Sequence, residues 1–217
     1  MKLYTYPQAP SPRRVHLFLA EKGDALSRQI EQIVVDLRAG AHLSDEFGRK
    51  SPCHTVPVLE LDDGRCLSEC GAICRYLEAI EPEPPLFGRS PEAQGIIADR
   101  EHWVEMNGLL AVMEAFRNTL PGMADHALPG RRPVPQIAAL AERGRRRYEW
   151  FLEDLDGFLA ASEYIAGDDF SQADLTALVT IDFAVRGIKL AIPGSLDHVR
   201  RWYEEVASRP SVKAVGR

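Results

Sequence analysis

Ser11 stands between Pro10 and Pro12 in the stretch YPQAPSPRRVHLFLAEKG, residues 6–23, where a short apolar run stops and an amphipathic one begins. Backbone N–H groups at a helix start lack intrahelical acceptors and carry the positive end of the helix dipole, so an anion placed there is stabilised. A serine hydroxyl at that point can donate to a sulfur and favour the thiolate over the thiol, the effect that lowers thiol pKa at helix N-termini. The plainer role is N-cap, with Pro12 at N1, a common way to begin a helix. The stretch by itself favours the plainer role.

A second place is HTVPVLEL, residues 54–61. Proline near the start of a strand donates nothing to the ladder, so Pro57 belongs at a strand start, an edge or a cis bond that turns a backbone group toward a ligand. Val56 then offers its N–H and C=O to an extended peptide, as an added strand does. A third place is LSECGAI, residues 67–73. Glu69 in a first helical turn suits the dipole and can also accept from an ammonium, while the free N–H groups beside it can hold a carboxylate. Together they form a receptor for the zwitterionic end of an amino acid. Dipole complementarity alone explains Glu69 equally simply.

The cysteines, Cys53, Cys66, Cys70 and Cys74, crowd between positions 53 and 74. The i, i+4, i+8 spacing of the last three suggests a thiolate metal site, but structural zinc prefers C-x₂₋₄-C pairs with two further ligands. Cys66 falls before the helix that carries Cys70 and Cys74, which breaks any shared face. Small buried thiols are the favoured reading, and neither a disulfide framework nor a metal is expected.

The elements that must position these groups alternate in type over the first eighty residues. KLYTY reads as a strand. Residues 12–23 read as a helix, with Val15, Phe18 and Leu19 on one face and Gly23 as its C-terminal stop. Strands follow at 28–35 and 56–61, separated by a short helix at 44–49. Asp62-Asp63-Gly64 signals a hairpin turn into a fourth strand at 65–67. Ser68 is expected to cap the next helix, with Glu69 opening it. The order β-α-β-α-β-β-α predicts a mixed sheet with helices on its faces. EPEPPLFGRSPE, residues 81–92, is a proline-rich linker. Beyond it the period is helical: long helices at 91–118 and 136–160, then 171–185 and 195–208. The fold class is α/β followed by all-α, with domains at 1–80 and 91–217 joined by a linker at 81–90. The basic run ERGRRRY, residues 142–148, reads as a solvated helix face.

Net charge is −6 over 217 residues. That balance speaks against nucleic acid and anionic membrane surfaces as partners. No apolar run approaches the ~20 residues of a membrane span, and no early stretch has the order of a signal peptide. The expectation is a soluble, cytoplasmic protein.

In order and spacing, PSPRRVHLFLAEKG, TVPVLEL, LSECGAICRYLE, the proline-rich linker and the helical half resemble the cytosolic glutathione transferases, bacterial and theta-like members above all. DDFSQADLTA, residues 168–177, resembles the family's structural capping box, with Ser171 as cap and Asp174 answering at N3. RRWYEEVASRPSVKAV resembles the usual last helix.

The resemblance implies a thioredoxin-like N-terminal domain that binds glutathione as co-substrate. It also implies a C-terminal helical bundle lining a second-substrate pocket between the domains, and a homodimer. Carried over by position, Val56 before a cis-Pro57 pairs with the glutathione cysteine backbone. Glu69 and Cys70 hold the γ-glutamyl end, and His42 meets the glycine carboxylate. The position where the family usually carries a catalytic Ser, Cys or Thr is Ala9, and Cys70 stands where it usually carries Ser or Thr. Ser11 is therefore the side chain of the loop that can contact the glutathione sulfur. Without a cysteine at positions 9–12, the mixed-disulfide chemistry of omega- and beta-like members is ruled out at that site.

Trp103, Met106, Leu110, Met113 and Phe116 repeat at near-helical spacing, and core packing explains most of them. Trp103, Met106, Asn107, Leu110 and Arg117 are the candidates to face a small apolar electrophile. Conjugation of glutathione to that electrophile is the leading expectation. A glutathione-dependent disulfide reductase or peroxidase, and a non-catalytic binding or regulatory protein of the same fold, stay open as alternatives.

Overall fold

A computed structural model describes residues 1–216. The chain forms two compact units: Met1–Pro84 with Leu128–Pro133, and Pro85–Ala127 with the chain from Val134 onward.

The first unit runs β1 (Lys2–Thr5), α1 (Pro10–Lys22), α2 (Asp24–Ser27), β2 (Glu31–Val34), a 3₁₀ turn (Ala41–Leu43), α3 (Asp45–Gly48), β3 (Val58–Glu60), β4 (Cys66–Leu67) and α4 (Cys70–Ile80). The strands form one sheet of order β2-β1-β3-β4, parallel between β1 and β2 and antiparallel elsewhere. This is the mixed four-stranded sheet the element order predicts. Alternation along each strand sorts its side chains between two faces. Leu3 and Leu59 are fully buried, as are Val15, Phe18, Ile73 and Leu77 of α1 and α4, which pack against each other. A smaller cluster of Val35, Phe47 and Val58 is flanked by Tyr4, Val56 and Cys66. The hairpin closes as the Asp-Asp-Gly signal requires. Gly64 has φ +84°, a conformation only glycine adopts freely, and Leu61 N–H bonds the Arg65 carbonyl at 2.8 Å. The segment 128–133 joins this unit through Arg131, whose Nη1 donates to Asp45 Oδ1 at 2.6 Å.

The second unit is helical: α5 (Pro91–Val104), α6 (Leu110–Arg117), α7 (Ala138–Ala161), α8 (Gln172–Phe183), α9 (Asp197–Ala207) and α10 (Pro210–Val215). A π-turn, Glu105–Leu109, joins α5 to α6, so the long helix expected at 91–118 is continuous but bulged. A second π-turn, Ala184–Ile188, extends α8. The sequence reading did not foresee α10; Pro210 at its first turn starts it afresh after Ser208. Every residue of α8 from Gln172 to Asp182 is buried, which makes it the central helix. Among the described residues, no helix is long and apolar enough to cross a membrane.

The capping box is present as expected. Asp174 accepts from Ser171 N–H at 2.9 Å and from the Ser171 hydroxyl at 3.0 Å. It also accepts from Ile165 N–H at 3.1 Å and from Trp202 Nε1 at 2.8 Å, so one fully buried carboxylate ties α8 to α9 and to the turn before it. Burial pushes this carboxyl up to about 6, and the four donors pull against that rise. Asp174→Ala strands those donors and is expected to cost about 3–4 kcal/mol in urea unfolding. A raised folded-state pKa means a stability contribution present below about pH 4 and lost as pH rises through about 6. Asp174→Asn should remove that slope, leaving a flatter stability profile across the same window.

Candidate functional site

The sheet register decides which loops meet. Thr5 pairs with Val34, Tyr4 with Val58, and Leu59 with Leu67. The C-terminal ends of β1, β2 and β4 therefore share one edge with the N-terminal end of β3. From that edge leave the loop to α1 with Ser11, the loop after β2 with His42, the approach to β3 with Val56 and Pro57, and the short turn to α4 with Glu69. The four segments that the sequence reading expects to hold glutathione thus leave one end of one sheet.

The start of α1 differs from the sequence expectation. Its N-cap is Ala9, Pro10 is at N1, and no side chain caps it, so Ser11 is not the cap but the second helical residue. Both prolines satisfy the N1 preference, and a turn in which Ala9 N–H bonds the Tyr6 carbonyl at 2.9 Å selects the earlier one. The consequence is chemical. Four N–H groups at a helix start normally lack acceptors. Here Ala9's is bonded to Tyr6, and Pro10 and Pro12 have none. The Ser11 N–H is left as the donor of this helix end, and no hydrogen bond engages it or the Ser11 hydroxyl among the described residues.

The Val56–Pro57 peptide is cis, as expected. The loop before it is tied to itself: His54 N–H bonds the Ser51 carbonyl at 2.8 Å, and Thr55 N–H bonds the Ser51 hydroxyl at 3.1 Å. Among the described residues no hydrogen bond engages the Val56 backbone, which stays available beside the sheet edge. The sequence reading missed His54. It sits at φ +54°, uncommon for a residue other than glycine. Its Nδ1 bonds the His42 carbonyl at 2.8 Å, and its ring lies where a side chain on Gly48 would be, 2.7 Å from the ideal Cβ. The ring thus locks the His42 turn to the Val56 loop. Sequence spacing carries no signal for this contact.

The start of α4 also shifts by one. Glu69, not Ser68, is the N-cap, and Cys70 is the first helical residue. Glu69 is exposed and Cys70 is buried. None of the cysteines is in a disulfide among the described residues; Cys66 lies in β4, and Cys70 and Cys74 are buried in α4. Among the described residues, no group of three or more His, Cys, Asp or Glu side chains is placed to hold a metal ion.

A second missed residue is His16, on α1. Its Nε2 lies 2.7 Å from the Thr5 hydroxyl, at the last residue of β1. The pair pins the two ends of the Tyr6–Ala9 loop from which Ser11 follows. Burial lowers the His16 pKa below its ordinary value.

In the helical unit the candidates separate. The half-buried Trp103 ring packs on Phe151 at 5.1 Å and Phe158 at 4.8 Å. Phe116 packs on Phe183 in the same way, at 5.0 Å. Met106 and Leu110 are exposed apolar side chains in and beside the first π-turn. Asn107 donates to the Trp103 carbonyl at 3.0 Å, and Arg117 donates to the His126 carbonyl at 2.8 Å. Burial lowers the Arg117 pKa.

Residues 9–80 match the glutathione S-transferase N-terminal domain and residues 137–215 the glutathione S-transferase C-terminal domain. A curated relative, glutathione S-transferase 2 of Saccharomyces cerevisiae, is 35% identical over 98% of this chain and 88% of its own length. The crystal structure of Gtt2 from the same yeast superposes with a TM-score of 0.90 at 34% identity, covering 100% of both chains. A class Gtt2 glutathione S-transferase of Vibrio parahaemolyticus gives 0.84 at 35% identity, over 100% of this chain and 97% of that one. The chain belongs to the cytosolic glutathione S-transferase family, with a thioredoxin-like N-terminal domain and a helical C-terminal one. The family's co-substrate is glutathione.

The His16 geometry gives a pH prediction. A lowered folded-state pKa means that neutral His16 contributes stability above about pH 6.5, lost as pH falls through the lower folded value. The wild type should therefore lose more stability between neutral pH and about 5 than His16→Gln does. Urea midpoints across that range check it, and equal slopes for the two proteins would refute it.

Proposed function

We propose that this protein is a cytoplasmic, homodimeric glutathione transferase that joins the glutathione sulfur to a small apolar electrophile. The observation that carries the reading is the start of α1, where two prolines and a bonded Ala9 leave both the N–H and the hydroxyl of one residue, Ser11, without a hydrogen-bond partner among the described residues. That residue begins at the same sheet edge as Val56 and Glu69.

The residues fit the peptide they are to hold. The Val56 N–H and C=O pair with an extended backbone at its cysteine. The first N–H groups of α4, beginning at Cys70, hold the γ-glutamyl carboxylate, and Glu69 accepts from the neighbouring ammonium. His42 meets the glycine carboxylate at the far end, beside the cis-Pro57 loop. Bound glutathione supplies the sulfur nucleophile. Ser11 favours its ionised form by donating from N–H and Oγ at the positive end of the α1 dipole. The rest of the protein's work is orientation. Met106, Asn107, Leu110 and Arg117 are the side chains assigned to the electrophile, and the half-buried Trp103 backs them.

Because Ser11 is not the helix cap, Ser11→Ala is a clean probe whose stability should stay within about 0.5 kcal/mol of wild type. Calorimetric titration should show glutathione binding to both proteins. The bound thiol's pKa, read from thiolate absorbance, should be higher by about one unit in Ser11→Ala. An unchanged thiol pKa would transfer the activation to the backbone N–H alone. Absence of glutathione binding to the wild type would sink the transferase reading.

A further inference from the structure

The basic run on α7 is exposed at Arg143 and Arg146, as expected of a solvated face, and its arginines also bond within the helical unit. Arg143 pairs with Glu114, Arg146 with Glu149 at 2.9 Å, and Arg145 and Arg147 donate to backbone carbonyls. Those two carbonyls belong to the two π-turns. Arg147 Nη2 donates to the Met106 carbonyl at 2.6 Å, inside Glu105–Leu109. Arg145 Nη1 donates to the Ile188 carbonyl at 2.8 Å, the last residue of Ala184–Ile188.

The first contact has a specific backbone cause. In α-helical register the Leu110 N–H would bond the Met106 carbonyl; in the π-turn it bonds the Glu105 carbonyl, five residues back. Met106 thereby loses its ordinary donor, and the Arg147 guanidinium replaces it. The same guanidinium lies 3.5 Å from Glu114, a carboxylate one helical turn beyond Leu110. A glycine fixes the turn from its other side: a Cβ on Gly108 would lie 2.8 Å from the Phe151 ring. The bulge is therefore held by a charged hydrogen bond on one face and an aromatic contact on another. The extra residue in the turn rotates everything after it by roughly 100° relative to an unbroken helix. That rotation sets which side chains of the 105–110 segment are presented outward, and Met106 and Leu110 are the exposed apolar ones.

We infer that Arg147 is a positioning residue that sets second-substrate specificity, by holding the π-turn that presents Met106, Asn107 and Leu110. The inference rests on the proposed assignment of those three side chains to the electrophile. It concerns a group that never touches the substrate.

The test uses calorimetric titration of glutathione and of S-hexylglutathione, whose apolar tail reports on the second-substrate surface. It compares wild type, Arg147→Met, Arg147→Lys and the exposed control Arg146→Met, with hydrogen exchange followed over residues 105–111. The wild type should bind the hexyl derivative more tightly than glutathione. Arg147→Met should lose most of that gain, roughly tenfold in affinity, while binding glutathione as the wild type does. Its exchange over 105–111 should rise, with no change over 184–190. Arg147→Lys, which keeps a donor but not the guanidinium fork, should recover part of the gain. Arg146→Met should match the wild type. A full hexyl gain in Arg147→Met, or unchanged exchange at 105–111, overturns the inference. So does a wild type that binds glutathione but shows no hexyl gain, which leaves the transferase reading standing. A wild type that binds neither ligand overturns both.

Discussion

A helix start has more N–H donors than the helix itself can satisfy, and this chain disposes of nearly all of them at the end of α1. Proline removes two, and a turn back to Tyr6 occupies a third. What remains is concentrated on Ser11. The rest of the first unit serves that point. The parallel pairing of β1 with β2 and the antiparallel pairing of β1 with β3 and β3 with β4 bring the loops proposed to hold glutathione to the same edge. The His16–Thr5 contact fixes the loop leading to Ser11, and the His54 ring fixes the loops carrying His42 and Val56 to one another.

The helical unit is organised by buried charge. Asp174 collects four donors from three elements around the fully buried α8. A carboxylate in such a place is tolerable only because every donor is supplied, and each donor in turn depends on it. The arginines of α7 apply the same rule to backbone carbonyls. A π-turn frees a carbonyl that an α-helix would satisfy, and a guanidinium from a neighbouring helix takes it.

Some of this was legible before any coordinates. The hairpin at Asp62-Asp63-Gly64 and the β-α-β start follow from local chemistry, while the cis-Pro57 and the capping box at Ser171 and Asp174 followed from the family resemblance. The cap assignments at Ser11 and Ser68 were each one or two residues off. At α1 both Pro10 and Pro12 satisfy the N1 preference, and only the chain's path before the helix selects between them. The solvated reading of the α7 arginines holds for Arg143 and Arg146 but did not include the carbonyl contacts of Arg145 and Arg147. Charge patterning along one helix carries no information about which carbonyls a second helix has left unpaired.

The sequence by itself determined the order of the strands and the main helices, because turns and periodicity are interactions within a few residues of each other, and the order and spacing of its motifs carried the resemblance to the family. Only the tertiary structure decided that Ser11 is a free donor rather than a cap, that His16 and His54 brace its loops, and that two π-turns rest on arginines of α7. The histidine and arginine contacts join groups 11 to 43 residues apart in the chain and depend on register and on which backbone group another element has left unsatisfied, whereas Ser11 was decided by the turn between Tyr6 and Ala9.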